Sequence, residues 1–129
     1  MWNKTNWVDV IGTDTIRQTV TAGSVATGRI DCTAPSYVKV SIRISVTFDD
    51  VPDGDAVINL YDVDQSGGAN KPDTIPMYTQ RINKEALAEK IITIPNLDVL
   101  CLDNIKIDVV NENSTQSIWI WVSAMAANN

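Results

Sequence analysis

Tyr37-Val38-Lys39-Val40-Ser41-Ile42-Arg43-Ile44-Ser45-Val46-Thr47-Phe48 is the stretch whose reading decides the fold. Val38, Val40, Ile42, Ile44, Val46 and Phe48 alternate without a break with Tyr37, Lys39, Ser41, Arg43, Ser45 and Thr47. A period of two puts all the aliphatic side chains on one face of an extended chain, so the segment predicts a strand buried on one side. Twelve residues would reach about 40 Å, longer than most strands, which predicts a bend, a bulge or a passage between sheets within it. The run ends at Asp49-Asp50-Val51-Pro52-Asp53-Gly54-Asp55, where proline presets φ and glycine tolerates positive φ. Ala56–Val63 follows, and is expected to return as the second strand of a hairpin.

Shorter segments of the same kind fill the rest of the chain. Ile16–Val20 and Ser24–Cys32 flank a short turn at Thr21-Ala22-Gly23, and Ile105–Asn111 and Ser117–Ala126 flank the polar loop Glu112–Gln116. Met77–Ile82 and Ile91–Ile94 flank Asn83–Lys90, which alone has strong helix formers and an N-cap residue, Asn83; one short helical turn is expected near 84–89. About eight strands with hardly any helix predict an all-β fold, an antiparallel β-sandwich of jelly-roll or immunoglobulin-like type. The tryptophan of a true immunoglobulin domain, between Cys32 and Cys101, is absent. Length predicts one core, assigned to residues 16–129, with the polar segment 1–15, which contains Trp2 and Trp7, as an N-terminal arm.

Composition excludes more than it names. The chain has no histidine, which removes serine–histidine and cysteine–histidine catalysis, histidine metal sites and a histidine pH switch together. A formal charge of −6 works against nucleic acid and anionic membrane as partners. Met1–Trp7 has no apolar core of a signal peptide and no run is long enough to span a membrane, so a product that is cytoplasmic when made, or exported by a route without a cleaved signal, is expected. Cys32 and Cys101 have no companion ligands and are read as small buried residues, or as a disulfide if the protein matures outside a reducing cell. Paired acids, and serines without a G-x-S-x-G, give no catalytic constellation, and the protein is expected not to be an enzyme.

Two features carry binding chemistry. The loop Asp62–Asp73 has oxygen side chains at its first, third, fifth, ninth and twelfth positions and glycine at its sixth, the spacing of a calcium loop. Asp62, Asp64, Ser66 and Asp73 are the candidate ligands; surface-turn geometry explains the same residues without a metal, and no cofactor is otherwise expected. Asp49, Asp50, Asp53 and Asp55 would add to such a site if both loops lay at one end of the sandwich. In the last strand, Trp119 and Trp121 share a face with Ser117, Ser123 and Met125, opposite the aliphatic face of Ile118, Ile120, Val122, Ala124 and Ala126. Tryptophans on an outer face, where polar residues are usual, mark an interface, a surface that the 1–15 arm covers with Trp2 and Trp7, a central strand buried on both faces, or a platform on which sugars stack.

The strand pattern of Tyr37-Val38-Lys39-Val40-Ser41-Ile42-Arg43-Ile44 and of Ile105-Lys106-Ile107-Asp108-Val109-Val110-Asn111-Glu112-Asn113-Ser114, in a short acidic chain, resembles the small β-sandwich virion proteins of tailed phages, of the capsid decoration, auxiliary or head-fibre type. That resemblance implies a non-catalytic virion protein that binds a repeated protein lattice, usually as a homo-oligomer, without a cofactor. The interface candidates are Trp2, Trp7, Trp119 and Trp121. A carbohydrate-binding or calcium-assisted recognition module is the other reading.

Overall fold

The computed structural model describes residues 7–32, 39–63, 76–98 and 104–127. They form nine strands: β1 (Val8–Ile11), β2 (Gln18–Val20), β3 (Val25–Asp31), β4 (Lys39–Phe48), β5 (Ala56–Val63), β6 (Tyr78–Ile82), β7 (Glu89–Asp98), β8 (Asn104–Asn111) and β9 (Ile118–Ala127). One antiparallel sheet has the order β1-β9-β4-β7, with β2 alongside β1 on the same side of β9; the other has the order β3-β8-β5-β6. β1 pairs with the second half of β9 and β2 with the first, so together they act as one interrupted strand. Two sheets, each four strands wide, whose successive strands cross from one to the other make this sandwich a jelly roll and not an immunoglobulin-like fold.

From β2 to β9 every connection except β5 to β6 changes sheet. The expected hairpin at Asp49–Asp55 is therefore an arch: β4 pairs with β7 and β9, while β5 pairs with β6 and β8. The same holds for Glu112–Gln116 and for Thr21–Gly23. The 1–15 segment, expected as an arm, contributes β1 to the sheet; residues 1–6, with Trp2, lie outside the described residues. No helical turn forms near 84–89. Glu85–Ala88 is a β-turn closed by Ala88 N–H to Glu85 O at 3.2 Å, with Leu87 at φ 55°. The strand end overrides helix propensity there, since Ala88 O accepts from Phe48 N–H and Leu87 N–H donates to Asp49 O. Among the described residues no helix is long and apolar enough to cross a membrane.

The aliphatic phase of β4 and β9 is buried throughout, and on the other phase Ser41, Ser45, Ser123 and Ala127 are buried as well. Val40, Ile42, Ile44, Val46, Ile118, Ile120 and Val122 have no solvent exposure, and they face Ile58, Leu60, Ile105, Ile107 and Val109, which are equally buried. Each such side chain contributes about 1.5–3 kcal/mol relative to leaving it in water. The irregularity expected in the long strand lies between Val40 and Ile42, but the extra residue belongs to the partner: Asn96, at φ 52°, bulges from edge strand β7 beside Pro95 and donates its N–H to Ser41 Oγ at 3.1 Å.

The arches between β2 and β3, β4 and β5, β6 and β7, and β8 and β9 gather at one end. Their crossing leaves backbone groups over the core, and buried asparagines satisfy them. Asn111 Nδ2 donates to Val20 O and Gln116 O, both at 2.9 Å, and its Oδ1 accepts from the backbone N–H and the side-chain amide of Asn113. Asn113 Oδ1 in turn accepts from the N–H groups of Asp53 and Gly54. Gly54 lies so close to the next arch that a Cβ would sit 2.3 Å from Glu112 O.

Candidate functional site

The outer face of the β1-β9-β4-β7 sheet follows from the register. Trp119 lies opposite Thr47 and Thr47 opposite Glu89; Trp121 lies opposite Ser45 and Ser45 opposite Ile91; Ser123 lies opposite Arg43 and Arg43 opposite Thr93. Directly opposed residues of an antiparallel pair point the same way, so each set forms a row across the sheet. Both tryptophans are partly exposed, whereas Ile118, Ile120 and Val122 between and beside them are buried.

This face is ordered by groups far apart in sequence. Trp121 Nε1–H donates to Asp9 Oδ1 at 2.7 Å, which fixes the indole against β1. Arg17 stands over the same ring, its guanidinium carbon 5.3 Å from the centroid. It donates to Ser45 Oγ at 2.7 Å and pairs with Glu89 at 2.8 Å, while Asp14 holds it from behind through its backbone oxygen and its carboxylate. Trp7 stacks on Arg43 at 4.2 Å from guanidinium carbon to centroid. Each stack supplies about 0.5–1 kcal/mol at an exposed site and orients both partners. Exposed Ile91 and partly exposed Met125 extend the surface.

Three of the four expected interface residues, Trp7, Trp119 and Trp121, therefore lie on one face; Trp2 is outside the described residues. Arg43 and Ser45 were open to a sequence reading, since they occupy the polar phase of the β4 pattern. Asp9, Arg17 and Glu89 gave no such signal, because their roles come from pairing with β9 and β4.

Of the four calcium-loop candidates, only Asp62 lies among the described residues. Asp62 lies in β5, and Asp64, Ser66 and Asp73 lie outside the described residues. The Asp49–Asp55 arch precedes β5, whereas Asp62 lies near the opposite end of that strand. Among the described residues no three potential ligands come together as a metal site. Asp53 and Asp55 are structural instead. The hydroxyl and backbone N–H of Ser114 hold the Asp53 carboxyl below its usual range, and the backbone N–H of Lys84, with help from Arg81, does the same for Asp55. Arg81 bridges Glu112 and Asp55, and both hold its proton more tightly. Cys32 is fully buried, and Cys101 lies outside the described residues.

No family model matches the chain, and neither does any curated protein. Solved structures do. A CBM4 carbohydrate-binding module matches with a TM-score of 0.60 at 10% identity, over 97% of this chain and 77% of that one. TmCBM61, solved in complex with β-1,4-galactotriose, matches with a TM-score of 0.52 at 12% identity, over 95% and 86%. The VP2 subviral particle of infectious bursal disease virus matches with a TM-score of 0.56 at 12% identity, over 98% of this chain and 32% of VP2. At these identities the likeness is one of fold: viral capsid proteins and carbohydrate-binding modules are built on the β-sandwich that this chain forms.

Proposed function

We propose that the chain is a non-catalytic structural protein of a viral particle, a phage capsid decoration or auxiliary protein that docks on a repeated protein lattice. The observation that carries the reading is the outer face of the β1-β9-β4-β7 sheet, where Trp7, Trp119 and Trp121 replace the polar residues usual on such a face, with Trp7 held by Arg43 and Trp121 by Arg17 and Asp9. Rings fixed before contact lose little entropy on binding, and tryptophan and arginine are the residues most enriched at binding hot spots. The acidic charge favours a protein partner over nucleic acid or an anionic membrane. The fold likeness to a capsid subunit supports the reading, under which the protein would belong to the virion after synthesis in the host cytoplasm.

The test is to probe density-gradient fractions of virus-sized particles, from the culture carrying the gene, with antibody against the chain. Co-banding with particles is expected, and loss of co-banding for Trp121→Ala while the isolated variant keeps its unfolding transition. Recovery in the soluble fractions alone refutes the proposal.

One observation favours a second reading, a carbohydrate-binding module. Trp119 and Trp121 stand two residues apart on a sheet face flanked by Ser45, Thr47, Arg17 and Glu89, a stacking surface with hydrogen-bonding groups beside it. Isothermal titration with neutral oligosaccharides, including β-1,4-galactotriose, separates the readings: saturable heat that disappears in Trp121→Ala favours the module, and no heat favours the virion protein.

A further inference from the structure

Lys39 and Arg43 lie four residues apart on β4, in the phase that faces outward, yet edge strand β7 answers them differently. Lys39 stands opposite Asp98 and forms an ion pair with it. Arg43 stands opposite Thr93 on β7 and Ser123 on β9, and neither carries a charge. An acid directly across the strand pair is the usual stabilising neighbour of such a cation, and Arg43 has none. The other arginines among the described residues, Arg17, Arg29 and Arg81, each donate to a side-chain oxygen. Among those residues, Arg43 contacts only the ring of Trp7 in this way, at 4.2 Å from guanidinium carbon to centroid.

The acids of the same face are engaged elsewhere. Asp9 shares the row of Arg43, but Ser123 lies between them, and the Asp9 carboxylate takes the Trp121 indole N–H. Glu89 is held by Arg17 and by Ser45 Oγ, and Asp14 by Arg17. The fold therefore leaves the N–H groups of the Arg43 guanidinium to water.

A guanidinium stacked on an indole keeps those N–H groups in its own plane, clear of the ring, in a fork that matches the two oxygens of a carboxylate. The stack also removes water from one side of the cation and orients it before contact, so that less entropy is lost when an acid arrives. Position adds to this. The row of Arg43 lies between the row of Trp121 and that of Met125, on a strand with neighbours on both sides, so the cation sits inside the aromatic patch and not at its rim. Exposed ion pairs contribute little, whereas charges enclosed by a contact fix its register and exclude wrong partners. We propose that Arg43 selects the partner of this face, receiving an aspartate or glutamate side chain of the lattice protein beside Trp7 and Trp121. The proposal rests on the docking reading above and adds the chemistry that the partner must present.

Co-sedimentation of the full purified chain with particles from a culture lacking the gene tests it, at several salt concentrations. The native chain should bind. Arg43→Gln should bind about ten- to a hundred-fold more weakly, as for loss of one charged hydrogen-bonded pair, with a flatter salt dependence and a nearly unchanged thermal midpoint. Arg43→Lys, bound to particles and treated with a carbodiimide that takes up the water lost, should form an amide between its new amine and an acid of a particle protein, located by mass spectrometry. A side chain that only held Trp7 would form none. An Arg43→Gln chain that binds as the native one does, no amide to a particle protein, or an amide only to this chain's own Asp9 overturns the proposal while the docking reading stands. A native chain that does not bind particles overturns both, and so does Arg43-dependent binding of polygalacturonate in their place, which would assign the acid to a sugar.

Discussion

Asn111→Ala removes the centre of the network over which the arches cross. Asn111 is fully buried, and its side chain makes four hydrogen bonds of 2.7 to 2.9 Å, to Val20 O, Gln116 O and two donors of Asn113. Truncation removes all four of these bonds. The backbone of β2, β8 and the following loop is held by its own ladders and closes the gap poorly. A net loss of about 1 kcal/mol per bond, with a larger cost for a donor left unpaired in the interior, gives about 4 kcal/mol. That is a large part of the roughly 5–15 kcal/mol that holds a domain together. For a chain of this length it lowers the thermal midpoint by about 15 °C. Urea and thermal unfolding followed by circular dichroism measure it, with an unchanged dependence on urea showing that the native state stays compact. Asn113→Ala should cost less alone, and the double variant much less than the two together, because the residues share bonds. A loss below about 1 kcal/mol for Asn111→Ala, or additive losses, would refute the view that this network holds the arches.

Other perturbations separate the remaining parts. Gly54→Ala should destabilise by about 2–3 kcal/mol in the same unfolding assays, since its Cβ would meet the backbone of Glu112 and Asn113 and neither arch can move without breaking its bonds to the other. Acid should loosen the arch end. Asp53 and Asp55 have folded pKa values below the unfolded value near 4, so their stabilisation is complete above that pH and is lost as pH falls through the folded values; Asp53→Asn should flatten the decline of the melting temperature below pH 4. Asp9→Ala should release the Trp121 indole, seen as a change in tryptophan emission at an unchanged midpoint, because the bond lies at the exposed face and holds orientation more than stability.

The strands were legible because one buried face imposes a period of two on each. Val40 to Phe48 and Ile118 to Ala126 show it plainly, and the same phase places Trp119 and Trp121 outside. Sheet membership was not legible. A strand with one apolar face is satisfied equally by a neighbour beside it and by one facing it across the core, and arches such as Asp49–Asp55 and Glu112–Gln116 use the same Pro, Gly, Asp and Asn residues as hairpins. The helix expected near 84–89 fails for a related reason: Ala88 O and Leu87 N–H belong to the end of β4, which no local propensity records. Within the candidate site, the tryptophans could be read from phase, but Asp9 reaches Trp121 across 112 positions and Arg17 reaches Ser45 across 28, contacts that only the sheet order creates.

The division of labour in the fold follows from where polar groups are forced. A chain that crosses between sheets at almost every connection must carry backbone donors and acceptors over the mouth of its core, and those groups need fixed partners. Asn111, Asn113, Asp53 and Asp55 meet that demand, which is why acids that resemble a binding cluster in the sequence are tied to Ser114, Lys84 and Arg81. The outer sheet face carries no such demand: its backbone is already paired, and polar side chains would satisfy it. Of the tryptophans there, Trp7 is braced by Arg43 and Trp121 by Arg17 and Asp9. Under the proposed function this is the face that meets a partner, because its departure from polar patterning falls where backbone pairing leaves the side chains free.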